Sequence, residues 1–131
     1  MKFLLDTDTC IYALKQNLAV LKNLLARAPE DIAVSVITEA ELRTGAAKSS
    51  SAAKTLRLVE NFLRPIAILE FTSNDAASYA QIRASLERAG TPIGPLDTLI
   101  AQAVVHKLIL VSNNQREFGR VAGLHAQNWA N

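Results

Sequence analysis

Short apolar runs closed by polar turns alternate along this chain with longer stretches in which apolar residues recur at helical spacing. Lys2 to Leu5 is the first short run; Asp6-Thr7-Asp8-Thr9 ends it, which predicts a buried strand leaving the core at Asp6. Helical spacing follows to about Ala28, with Leu14, Leu18, Leu21 and Leu25 on one face, until Pro29-Glu30-Asp31 breaks it. Ile32 to Val36 is β-branched and apolar enough for a second strand, and the pattern turns helical from Thr38 through Ala47. Beyond a Ser-rich stretch, Leu56, Leu58, Val59, Phe62 and Leu63 mark a further helix that Pro65 stops, and Ile66 to Leu69 is strand-like. Thr72 with Asp75 forms a capping-box signal ahead of a helix over Ala76 to Ala89, which Gly90 closes. A turn over Gly90 to Pro95, a helix over Leu96 to His106, a strand over Leu108 to Val111 and a last short strand over Ala126 to Trp129 complete the reading.

Strands alternating with helices predict an α/β fold of three layers, α/β/α, around a central, mainly parallel twisted sheet of four to five short strands. The 131 residues show no repeat and no linker, so a single domain over 1–131 is expected. With half the residues hydrophobic, a fifth charged, five glycines and four prolines, disordered and collagen-like classes are excluded. One cysteine, Cys10, leaves no disulfide framework within the chain and fits a reducing compartment. Met1-Lys2-Phe3 begins like a signal sequence, but Asp6 interrupts it, and no apolar run approaches the roughly 18 residues of a membrane span. A cytoplasmic protein without membrane attachment is the expectation. The formal charge of +2 permits an anionic partner without demanding one, since the fourteen Lys and Arg are scattered.

Ligands of such sheets sit beyond the carboxyl ends of the strands, near the point where strand order reverses. Asp6 and Asp8 stand at the end of the first strand, and Ser112, Asn113 and Asn114 at the end of the late one. Asp8 or Thr9 can equally serve as a helix cap. Asp6 is harder to leave idle, because a carboxylate at the core boundary loses solvation without a partner. Glu39 and Glu41 project about 200° apart on a helix; Glu39 has Arg43 four residues on, whereas Glu41 shares its face with Ile37 and Gly45 and reads as the inward one. Asp97 suits the positive end of its helix by itself, yet it lies on the stripe of Ile100, Ala101 and Val104 that faces the sheet.

Three carboxylates at one edge repel each other unless a cation joins them, and an all-oxygen set suits Mg²⁺ or Mn²⁺ better than zinc. His106 and His125 lack metal-ligand spacing, and Cys10 reads as a small buried residue. No phosphate-binding glycine loop occurs, so Gly90 and Gly94 read as turn residues.

The ordered set Leu4-Leu5-Asp6-Thr7-Asp8, Ile37-Thr38-Glu39-Ala40-Glu41-Leu42 with Gly45, Pro92-Ile93-Gly94-Pro95-Leu96-Asp97-Thr98-Leu99-Ile100-Ala101, and Val111-Ser112-Asn113-Asn114 with Glu117-Phe118 resembles the PIN-domain family, and within it the VapC-type toxins. The likeness runs from Met1 to Trp129. It implies an Mg²⁺-dependent endoribonuclease, with Mn²⁺ as substitute, that acts as a homodimer and is held inactive by a cognate VapB-type antitoxin in a heterotetramer or larger assembly. Asp6, Glu41 and Asp97 match the family's acidic metal ligands. Many relatives carry a fourth acid in a Thr-x-Asp pattern after the late strand, where Ser112-Asn113-Asn114 stands here; Asn114 joins the catalytic set with a neutral carbonyl only. Ser112 and Arg116 are the candidate substrate contacts, Arg116 through a phosphate. Two rival readings accompany this one. Asp6-Thr7-Asp8-Thr9 imitates the nucleophile motif of haloacid-dehalogenase phosphatases, with Asp6 as nucleophile, and a non-catalytic RNA- or protein-binding module could retain the fold.

Overall fold

In the computed structural model, which describes residues 1–91, 94–114 and 120–130, five short strands form one sheet in the order β3-β2-β1-β4-β5. They are β1 (Phe3–Leu5), β2 (Ile32–Ser35), β3 (Ala67–Leu69), β4 (Ile109–Val111) and β5 (His125–Gln127), and every pairing is parallel. The sheet is therefore wholly parallel where the patterning predicted a mainly parallel one. From β1 the chain builds outward to β2 and β3 on one side, then to β4 and β5 on the other. Strand order thus reverses at β1 and β4, whose residues Leu5 and Val111 pair directly. That reversal makes the carboxyl ends of β1 and β4 the expected crevice.

The three layers follow from the alternation of side chains along the strands. Phe3, Leu5, Val34 and Val111 pack with Cys10, Val20, Leu42, Val59 and Leu63, and so bury one face under α1 (Thr7–Leu14), α2 (Leu18–Leu25), α3 (Val36–Ala47) and α4 (Ala52–Leu63). Leu4, Ala33 and Leu110 pack with Leu86, Leu99, Ile100 and Ala103, covering the other face with α5 (Ser73–Arg88) and α6 (Asp97–His106). The last two helices pack antiparallel: Asp75 in the first turn of α5 meets His106 at the end of α6, while Glu87 and Asp97 border one hollow at the opposite end. Among the described residues, no helix is long and apolar enough to cross a membrane.

One expected element divides in two. The helical spacing from Thr7 to about Ala28 is broken at Gln16, which adopts a left-handed backbone at φ 65°, and Asn17 then caps α2 by accepting from the Val20 N–H at 3.0 Å. The rotation splits the leucine stripe. Leu14 and Leu21 pack on the core, whereas Leu18 and Leu25 are 81% and 87% exposed. Elsewhere the signals hold: the Thr72–Asp75 capping box forms with both its bonds, and Gly90 at φ 73° follows α5. Ser35 caps α3, so that helix begins at Val36 instead of Thr38. Of the predicted turn after Gly90, Pro92 and Ile93 lie outside the described residues.

Candidate active site

Asp6 follows β1 directly and is itself the N-cap of α1: its carboxylate accepts from the Thr9 N–H at 2.8 Å. The capping task that the sequence left open between Asp8 and Thr9 belongs to Asp6, and Asp8 stands exposed in the first turn. From the end of the neighbouring β4, the Ser112 hydroxyl donates to the same carboxylate and in turn accepts from the Asn114 N–H at 3.1 Å. Asp6 is only 2% exposed. Burial pushes its carboxyl above the ordinary 3.8; the Ser112 and Thr9 donors oppose this, and the nearby Asp8 charge adds to it. Every donor named is neutral.

Glu41 differs from the inward orientation predicted for it, because it is exposed on α3. Its position is set by a hydroxyl instead. Thr7, one residue beyond Asp6, donates to Glu41 Oε1 at 3.0 Å and lies 3.2 Å from the buried Thr38 hydroxyl. The single Thr7 hydroxyl proton thus faces two acceptors, the Glu41 carboxylate and the Thr38 oxygen. Glu39 is paired with Arg43 at 3.0 Å as expected, and Arg43 also lies 3.7 Å from Glu60. The half-turn between the two glutamates therefore separates an ion-paired side chain from one tied to the end of β1. Beside Glu41, a largely apolar hollow of about 340 Å³ opens between α1, α3 and α4, bordered by Ile11, Leu14, Gly45 and Leu58.

Asp97 is the first residue of α6 and is buried with Ile100 and Ala101, as its place on their stripe predicts. It borders the hollow shared with α5. Ser112 is fully buried beneath Asp6, so it acts on that carboxylate and presents no surface to a substrate. Asn114 is exposed, with its backbone N–H tied to Ser112. Arg116, with Glu117 and Phe118, lies outside the described residues. Among the described residues, no three His, Cys, Asp or Glu side chains converge as a ready metal-holding group. The structure joins Asp6 to Ser112 and Thr9, and Glu41 to Thr7 and Thr38. His106 Nε2 sits 3.2 Å from the buried Asp75, and His125 is exposed on β5. Cys10 is fully buried, which pushes its thiol pKa up and leaves it inert.

The threonines at positions 7 and 38 are the residues that the motif reading passed over as functional. Their signal is a hydroxyl one step past the strand end facing another on the next helix.

The parallel α/β/α sheet with buried acids at its crevice marks a candidate site without naming its chemistry, and comparison with known proteins supplies the class. Residues 3–124 match the model of the PIN domain. The chain is 38% identical over 130 residues to the tRNA(fMet)-specific endonuclease VapC of Salmonella typhimurium, covering 98% of each, and 35% identical over 133 residues to ribonuclease VapC2 of Rickettsia felis, again covering 98% of each. It superposes on a chain of DNA-bound VapBC from Salmonella typhimurium with a TM-score of 0.92 at 35% identity, covering 98% of both chains. A chain of FitAcB from Neisseria gonorrhoeae gives a TM-score of 0.85 at 32% identity, covering 96% of both. The chain belongs to the PIN-domain family, and within it to the VapC-type endoribonucleases. Divalent-metal dependence comes with that family. The phosphatase and non-catalytic readings fall with the assignment.

Proposed function

We propose that Asp6, Glu41 and Asp97 together hold Mg²⁺, with Mn²⁺ as a working substitute, and that this centre cuts RNA as the toxin of a toxin-antitoxin module. The observation that carries the reading is the Asp6 carboxylate: 2% exposed, held by neutral donors and raised in pKa by its burial, it lacks only a cation to be comfortable as an anion. The donor set is all oxygen, which fits a hard divalent ion and not zinc. When bound, the ion lowers the pKa of a water and offsets the charge of the scissile phosphate.

The chain's own part is to orient the donors. Ser112 and the Thr9 N–H fix one carboxylate against β4, and Thr7, backed by Thr38, fixes the other on α3. Asn114 adds a neutral carbonyl where many relatives carry a carboxylate, which weakens independent binding of a second ion. Arg116 is assigned to a substrate phosphate on its position alone. Glu41→Gln is expected to abolish RNA cleavage, whereas Glu39→Gln loses at most the few tenths of a kcal/mol of an exposed pair; the reverse ranking in a cleavage assay would mean that the wrong glutamate has been placed at the site.

Relatives 38% identical are named for cutting tRNA(fMet), so a transfer RNA with an exposed single-stranded loop is the substrate class we assign. The partner is a VapB-type antitoxin. Its C-terminal segment suits the apolar hollow beside Glu41, where an arginine could fork onto the acidic groups. A homodimer within a heterotetramer or larger complex completes the assembly. The decisive test is cleavage of a purified tRNA by the free chain. It should stop in EDTA and return with Mg²⁺ or Mn²⁺ but not zinc, and undiminished cutting in chelator would remove the metal centre from the mechanism.

A further inference from the structure

The hollow at the start of α6 has a feature that the acidic centre does not use. It measures about 240 Å³ and is bordered by Tyr79, Arg83, Leu86, Glu87, Gly94 and Asp97. Tyr79, Arg83 and Glu87 recur every four residues on one face of α5 and form a bonded row. Arg83 donates from Nη1 to the Tyr79 hydroxyl at 2.7 Å and from Nε to Glu87 Oε1 at 2.9 Å, and its guanidinium carbon lies 5.9 Å from the Tyr79 ring centre. Two neighbours thus fix the guanidinium plane, while Nη2 meets no acceptor among the described residues. With Nε and Nη1 each held by a neighbour on the helix, Nη2 is the nitrogen left to receive an oxyanion. Exposed pairs at this spacing contribute little to stability, so the row is poorly explained as a brace for the helix.

Its place is what points to a ligand. The hollow opens on Asp97, one of the three acids assigned to the centre, and at Gly94 the rim has φ 75° with no atom within 4 Å of where a Cβ would stand. A cut phosphodiester at that centre has a further phosphate one nucleotide away along the same strand. Three carboxylates and one divalent ion still sum to a negative charge, so the approaching strand needs a cation beside the acids.

We propose that this hollow is an RNA subsite, in which Arg83 grips a backbone phosphate adjacent to the one that is cut, with Tyr79 and Glu87 holding the guanidinium ready. Arg83 is a positioning residue for the strand and recognises no base, so it acts on any single-stranded sequence. The proposal rests on the assignment of Asp97 to the metal centre.

The test is binding of a short fluorescent single-stranded RNA in Mg²⁺ to the full chain carrying Asp6→Asn, measured between 50 and 300 mM salt by anisotropy. Loss of one single-strand phosphate contact lowers the steepness of log K against log salt by about 0.7, and weakens binding about fivefold at 0.1 M salt. Arg83→Ala should show both changes, Arg83→Lys should restore the steepness, and Arg43→Ala, an ion-paired arginine on α3, should alter neither. An unchanged slope in folded Arg83→Ala overturns the subsite. So does a result in which Arg83→Ala weakens binding of the antitoxin's C-terminal peptide and leaves RNA binding intact. Failure of the acidic centre itself shows separately, as RNA cleavage that survives Asp6→Asn.

Discussion

Replacing Asp6 by asparagine should abolish RNA cleavage, by a hundredfold or more, and at the same time raise the melting temperature. The first effect follows from removing the charge of the carboxylate we propose as a metal ligand, whose other contacts, Ser112 and the Thr9 N–H, are already in place. The second follows from burial. The folded state raises the Asp6 pKa above the ordinary 3.8, so the stability linked to this group is whole below that value and is lost as pH rises through the raised one. At neutral pH the ionised, desolvated carboxylate therefore opposes folding. Asparagine keeps an oxygen for the Thr9 N–H and carries no charge, which should return about 1 kcal/mol, or roughly 4 °C. Thermal melts across pH check the sign: the gap between variant and parent should shrink as pH falls towards 4. A gap that widens in acid would place the stabilising form of Asp6 on the ionised side.

The largest stability loss is expected at the other end of the chain. Trp129 is 2% exposed, its ring meets Phe3 of β1 edge-on at 5.2 Å, and the Arg27 guanidinium lies 4.8 Å from the Phe3 ring centre and 4.5 Å from that of Trp129. Its indole N–H reaches Gln127 Oε1 at 3.0 Å, so the polar edge is satisfied as well. Trp129→Ala empties a site against the central strand and should cost about 3–5 kcal/mol, a large share of the 5–15 kcal/mol of an ordinary domain. Arg27→Ala removes the cation above the rings together with its hydrogen bonds to the Asn23 carbonyl and Oδ1, and should cost about 1 kcal/mol. Urea midpoints rank the two, and a loss below about 1 kcal/mol for Trp129→Ala would show that the last residues are not part of the core.

Much of this architecture was legible because its causes are local. The alternation of β-branched runs with helical spacing located all five strands, and the Thr72–Asp75 capping box and Gly90 marked both ends of α5. Glu39 and Arg43 met because four residues make one turn. What local spacing does not carry is contact across the chain. The leucine period runs unbroken through Gln16, a residue type with no special tolerance for φ 65°, so the division into α1 and α2 left no mark except Asn17. Glu41 shares a helix face with Ile37 and Gly45, which predicts an inward side chain. It stays at the surface because Thr7, 34 residues earlier, reaches it, and Thr38 backs Thr7 from 31 residues away. The acidic candidates stand out by residue type and by the strand-end rule, whereas the hydroxyls that hold Asp6 and Glu41 needed the fold.

The parallel sheet has a consequence for when this enzyme is armed. No two of its strands form a hairpin, and the bond from the Thr9 hydroxyl to the Val111 carbonyl joins residues 102 positions apart. Contacts of such separation form late and slowly, because closing the loop precedes any gain from the pairing. During synthesis, β1 waits at the ribosome with one flank open until β4 has emerged, and Asp6 receives its Ser112 contact only then. A growing chain therefore carries Asp6 long before the Ser112 contact that holds its carboxylate can form.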